Sequence, residues 1–200
     1  MYTFLSFQGP LFPYSRIPDE IPDLFGRQEE SKAILNHLTA EDSRLVDIWG
    51  PPGIGKTSVA INVAHHLRAM EIPVYLISLR GTKSKRELVS KLFSNFAAAK
   101  SKSRHISATD WLIHCLQQLQ NRHVLILDNA DDLMESGDAI LKEEVLRLTE
   151  DILKQCSHIK LLFTTREPLD YLSHKLPIHH QRVGALDQEI GRAHVCTPVT

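Results

Sequence analysis

The chain has 200 residues, 42% hydrophobic and 24% charged, with 23 Lys and Arg against 24 Asp and Glu. That length supports one domain with its own core, and the composition excludes wholesale disorder. A formal net charge of -1 gives no overall electrostatic reason to bind nucleic acid or an anionic membrane.

Residues 1–23 carry Pro10, Pro13, Pro18 and Pro22 without helical or strand period and read as an extended arm. No basic residue precedes the apolar start MYTFLSF, which makes a poor secretory signal. Residues 27–38 follow as a helix, with Ala33, Ile34, Leu35 and Leu38 able to share a face. Residues 45–49 are a short strand ending at Gly50. Residues 57–70 are a helix with Val59, Val63 and Leu67 at four-residue spacing. Residues 73–79, PVYLISL, are a second strand. Ser84 caps the next helix, with Glu87 as its capping-box partner and Leu88, Leu92 and Phe96 on its apolar face. Thr109 is read as the cap of a helix carrying Leu112, Leu116 and Leu119. Residues 124–127 form a continuous apolar run, as in a strand buried on both faces. Leu141, Val145, Leu148 and Ile152 mark a long amphipathic helix, residues 159–165 a fourth strand, and residues 181–183 the start of a fifth. Strands alternating with helices predict a parallel sheet with right-handed crossovers. The longest apolar runs are too short to span a bilayer.

The informative stretch is Gly50, Pro51, Pro52, Gly53, Ile54, Gly55, Lys56 and Thr57, which fits G-x-x-x-x-G-K-[ST] and with Ser58 makes the candidate nucleotide-binding segment. Glycines let the backbone wrap closely around phosphate oxygens. The amide N–H groups and the start of the following helix then face the anion. Lys56 adds a point charge toward the β and γ phosphates, and Thr57 offers a hydroxyl to Mg²⁺.

A second candidate is residues 123–128, HVLILD, where an apolar strand delivers Asp128 at its carboxyl end. Ligands of open α/β sheets lie beyond that end, so Asp128 is placed to coordinate magnesium in the Walker B role. A third is residues 160–166, KLLFTTR, which would bring the Arg166 guanidinium near the γ-phosphate. Lys56, Asp128 and Arg166 are thus the candidate catalytic residues, and Thr57 and Asp128 the candidate metal ligands.

These elements in this order, with Phe25, Gly26 and Arg27 upstream, resemble the NB-ARC group of STAND-type P-loop signalling ATPases over about residues 24–189. The resemblance implies an α/β fold, a P-loop NTPase three-layer sandwich around a mainly parallel five-stranded sheet of order 5-1-4-3-2. It implies a switch in signal transduction that holds ADP at rest and exchanges it for ATP or dATP with Mg²⁺. Phe25, Gly26 and Arg27 would meet the adenine, and Arg166 would sense the γ-phosphate. Residues 183–186 would lead into helical and winged-helix subdomains that this chain lacks. Protein partners, including further copies of the full-length protein, would be engaged through such flanking domains. The family often carries a second acid after the Walker B aspartate, where this chain has Asn129, and an amide cannot act as a general base. Asp131 and Asp132 follow closely, either as substitutes or as a solvated acidic loop. The expectation is firm binding and slow ATP hydrolysis at most. The alternative is an AAA+-type ATPase remodelling protein or nucleic acid, which usually presents Asp-Glu at that strand end. A degenerate, purely structural domain is disfavoured by the intact cradle. The guanine-reading N-K-x-D motif is absent, which favours adenine.

Several features have plainer readings. Lys83, Lys85, Arg86, Lys91, Lys100, Lys102 and Arg104 face only Glu87 over that stretch. With no aromatic interleaved they read as a solvated face, not a nucleic-acid patch. The adjacent pairs His65–His66 and His179–His180 lack metal-ligand spacing. Trp49 and Trp111 read as packing residues, with Trp49 close enough to the cradle to report on it. Cys115, Cys156 and Cys196 make neither a disulfide framework nor a zinc pattern, which suits a reduced, cytoplasmic setting. Residues 190–200, IGRAHVCTPVT, resemble the translation of a sequencing-library adapter and are set apart from the fold as an artefactual tail.

Overall fold

A computed structural model of the chain describes residues 17–19, 26–41, 43–94, 107–134, 139–170 and 177–185. Phe25, most of the N-terminal arm, Phe96, Lys100, Lys102, Arg104, Leu186 and residues 190–200 lie outside the described residues.

Helix α1 (Gln28–Thr39) precedes strand β1 (Leu45–Trp49), helix α2 (Lys56–Ala69) and strand β2 (Val74–Ser78). Helices α3 (Lys85–Ser94) and α4 (Ala108–Gln117) lead to strand β3 (His123–Asp128). A single turn, α5 (Asp131–Met134), and the long α6 (Ala139–Gln155) lead to strands β4 (Ile159–Thr165) and β5 (His179–Arg182). The strands form one five-stranded sheet in the order β2-β3-β4-β1-β5, and every pairing is parallel. This is the α/β P-loop NTPase fold and the strand order expected from the sequence, read from the opposite edge.

Alternation along each strand builds the three layers. Leu45, Tyr75, Leu125, Leu161 and Phe163 enter one core cluster with Leu88, Leu116 and Leu148 from α3, α4 and α6. Val46, Ile48, Val74, Val124, Ile126 and Leu162 enter the other with Ile34, Val59, Val63 and Leu67 from α1 and α2. The central strands are buried on both faces, which is why they read as continuous apolar runs.

Helix ends follow the chemistry of their caps, with one correction. Ser84 Oγ accepts from Glu87 N at 3.2 Å, and Glu87 Oε2 accepts from Lys83 N at 2.8 Å, so the expected box closes one residue further upstream. The cap of α4 is Ser107, not Thr109. Ser107 is extended (φ -61, ψ 154) and its hydroxyl accepts from Asp110 N at 3.1 Å, while Thr109 already lies in the first turn. β5 also begins two residues earlier than expected. Basic side chains finish two helices by donating to orphan carbonyls. Lys160, only 3% exposed, donates to the carbonyl of His37 in the last turn of α1 and to those of Ala40 and Ser43 beyond it, and Arg122 donates to Thr39 O at 2.6 Å. Arg44 does the same for Leu153 and Cys156 at the end of α6 and also donates to Ile159 O at the start of β4. Among the described residues no helix is long and apolar enough to cross a membrane.

Candidate nucleotide site

β1 ends at Trp49, and the chain then turns through residues 50–55 into α2. Two glycines are required here by geometry. Gly50 (φ +154) lies against Val183, so an added Cβ would fall inside the contact shell of that carbonyl oxygen. Gly55 (φ +98) is the left-handed N-cap of α2, a conformation that penalises any side chain. It leaves α2 with no side-chain cap and no acidic residue in its first turn. α1 begins with Glu29 and Glu30, and α4 with Ser107 and Asp110. The bare positive end of α2 is therefore able to accept an external anion.

The other candidates converge on it. Thr57, in the first turn of α2, donates its hydroxyl to Asp128 Oδ1 at 2.8 Å. Thr164 donates to the same oxygen at 2.6 Å, and Asn129 Nδ2 donates to Asp128 Oδ2 at 2.8 Å. Asp128 is thus buried and held by three donors. Thr57 and Asp128 together present a hydroxyl and a carboxylate, the hard oxygen donors that suit Mg²⁺. Lys56 Nζ lies over the loop, donating to Gly50 O at 2.7 Å and Pro51 O at 3.0 Å. Burial lowers its pKa first, with Asp131 opposing and Arg166 reinforcing that shift.

Arg166 reaches the same cavity, of about 320 Å³, which Lys56, Thr57, Asn129 and Asp131 also line. Its backbone N–H donates to Asp131 Oδ1, and its Nε lies 3.6 Å from Asp131 Oδ2. Asp131 is 7% exposed, so it is not part of a solvated acidic loop. It positions Arg166. Asn129 adopts φ 56, a left-handed conformation that Asn tolerates better than most residues, and its N–H donates to Thr164 Oγ1 at 2.9 Å.

The remaining sequence candidates are placed as follows. Pro52, Gly53 and Gly55 line the cavity, Ser58 is half-buried in the first turn of α2, and Gly26 sits in the turn before α1 with φ 73. Arg27 does something the sequence did not suggest. It is 6% exposed and clamps three segments, bonding Glu30 Oε1 at 2.9 Å, Ile54 O at 3.2 Å and Gly184 O at 2.6 Å. A second cavity of about 330 Å³ lies between α1 and α2 beside it.

Two further residues went unnoticed in the sequence. Arg80, beyond the end of β2, lines the same cavity as Lys56 and Arg166. Its place after a strand's carboxyl end was the available signal. Asp47, mid-β1 and fully buried, accepts from Thr165 Oγ1 at 2.7 Å, Leu169 N at 3.0 Å and His180 Nδ1 at 3.2 Å. It ties down both sides of the segment carrying Arg166. Burial pushes its carboxyl pKa up, and these three partners pull it part of the way back.

A family model described as an AAA domain matches residues 39–172. An uncharacterised WD repeat-containing protein of Nostoc sp. is 26% identical over 209 aligned residues, covering 94% of this chain and 16% of its own length. Replication factor C subunit 4 of Arabidopsis thaliana is 25% identical over 127 residues, covering 62% of this chain and 35% of its own length. The chain thus spans well under half of either curated relative. Among solved structures, the Aeropyrum pernix ORC1 protein in complex with DNA superposes with a TM-score of 0.61 at 17% identity, over 90% of this chain and 52% of that one. At that identity the likeness is one of fold.

Proposed function

The chain belongs to the AAA domain family of P-loop ATPases, and from that premise we propose that residues 50–58 bind ATP or ADP with Mg²⁺ and that bound nucleotide is turned over slowly. The observation that carries this reading is the 2.8 Å hydrogen bond from Thr57 to Asp128 at the uncapped start of α2. Those two side chains would hold the metal, which when bound neutralises charge between phosphate oxygens. Lys56 would meet the phosphates, and Arg166, held by Asp131, their terminal end. Slow turnover follows because Asn129 cannot accept a proton and Asp131 is engaged by Arg166. Residues 24–189 would form the nucleotide-binding domain, with 1–23 an arm and 190–200 outside it.

Two uses of such a site are open to test. The comparisons support an ATPase that remodels protein or nucleic acid better than they support a signal-transduction switch. One relative is a replication factor subunit, and one fold neighbour was solved in complex with DNA. The expectation that nucleic acid is not a partner therefore loses its support. The NB-ARC-like switch is favoured by Asn129, an amide at the position after Asp128 where a fast ATPase would carry an acid.

Thermal melting tests the shared premise. Nucleotide at a hundred times its dissociation constant stabilises the fold by about 2.7 kcal/mol. That raises Tm by roughly 5–11 °C for a chain of this size, and Lys56→Ala should remove most of the rise. An equal shift in that variant overturns the assignment. Steady-state turnover separates the two uses: fast, DNA-stimulated hydrolysis favours the remodelling ATPase, and co-purified ADP with negligible turnover favours the switch.

A further inference from the structure

We infer that Arg80 is a second cation for the terminal phosphate, and that it makes the site prefer a nucleoside triphosphate to a diphosphate. This rests on the nucleotide-binding reading above. Its base is fixed by the fold. β2 pairs with β3 in a register that sets Ser78 opposite Asp128, and Leu79 N donates to Asp128 O at 2.7 Å. The chain then turns sharply, with Thr82 N donating to Leu79 O at 2.9 Å and Gly81 supplying the positive φ of 70 that such a turn needs. Lys91 Nζ holds the Arg80 carbonyl at 2.9 Å. Arg80 therefore rises from an anchored turn immediately beside the end of the strand that delivers Asp128.

Among the described residues three cations line that cavity, Lys56, Arg80 and Arg166, but they differ in what already occupies them. Arg166 lies against Asp131, and Lys56 bonds two loop carbonyls. The Arg80 guanidinium has no carboxylate or carbonyl partner among the described residues, so its donors are available to an incoming anion without breaking a bond. A planar guanidinium suits phosphate oxygens. Lys56 and the α2 N-terminus lie at the loop, where both diphosphate and triphosphate would be held. Arg80 lines the cavity from the turn after β2, beside the strand end that delivers Asp128 and not from the loop, and the added phosphate group is assigned to this side.

Isothermal titration of the parent chain, Arg80→Ala and Arg80→Lys with Mg²⁺-ATP and Mg²⁺-ADP tests this. We expect Arg80→Ala to weaken ATP about tenfold or more and ADP by less than about twofold, with Arg80→Lys between. Because the side chain is exposed, the Tm of the ligand-free variant should match the parent and so exclude a folding defect. An unchanged ATP-to-ADP affinity ratio in Arg80→Ala overturns the inference, as does an equal loss for both nucleotides, which would put Arg80 on the phosphates they share. A parent chain that binds neither nucleotide overturns the cradle reading itself, and this one with it.

Discussion

At Gly50 the chain has no room for a side chain, because the carbonyl of Val183 fills the space where a Cβ would stand. The obstacle is backbone, so it cannot swing aside as a flexible side chain would. Gly50→Ala should cost about 1–3 kcal/mol from overpacking and a disfavoured φ, read as a fall in Tm without nucleotide. A Tm equal to the parent's would show that Val183 yields freely. Asp128→Asn probes a different property of the same site. Asn keeps the size of the side chain but removes the negative oxygen that suits a hard cation. The parent should bind ATP more tightly with Mg²⁺ than with a chelator, and the variant should bind nearly equally in both. A parent indifferent to Mg²⁺ would undo the metal assignment. Residues of this kind were readable in advance because motif spacing encodes them. Asp47 was not, since its partners all lie more than a hundred residues away in sequence, and neither was the clamp that Arg27 makes on the distant Gly184.

Elements were legible where burial is extreme. β1 and β4 were bounded correctly because their largely buried stretches, rich in apolar and β-branched residues, give way at Gly50 and at the charged, exposed Arg166. β5 was the weakest reading, and it is an edge strand of four half-exposed or exposed polar residues with no apolar signature. The α4 cap was misread for a local reason. Ser107 and Thr109 are both good caps, and only Ser107 has an acidic residue three positions on, Asp110, whose N–H it receives. The end of α1 shows a cost the sequence hides. Lys160 is buried in β4, where a Lys looks misplaced, yet its ammonium satisfies one carbonyl in the last turn of that helix and two just past it. Lys160→Met would fill similar volume but leave those carbonyls bare, and should lower stability by about 1–3 kcal/mol. That is roughly 2–12 °C in Tm. A neutral result would mean that water replaces the ammonium.

Across the whole molecule, protonation couples the strands to stability. Burial lowers the pKa of His123 on β3, and burial followed by the facing His37 lowers that of His179 on β5. The unfolded chain therefore takes up protons at a higher pH than the folded one. The stabilising effect is complete above the ordinary histidine value of about 6.5 and is lost as pH falls through the lower folded values. Denaturant melts between pH 7 and pH 5 should show falling stability, with a shallower slope in the His123→Gln, His179→Gln double variant. An unchanged slope would assign the acid sensitivity to other groups. The α/β architecture and the cradle could be read from pattern alone. The use of the site could not, because the relatives that match this chain extend far beyond it.

The fastening of residues 183 and 184 has a mechanical consequence. Val183 N–H bonds Trp49 O at 2.8 Å, its carbonyl abuts Gly50, and Arg27 grips Gly184 O and Ile54 O together. Tension on the polypeptide beyond that point would reach the anion seat with almost no slack, and a shift of the seat would tug outward along the same tether.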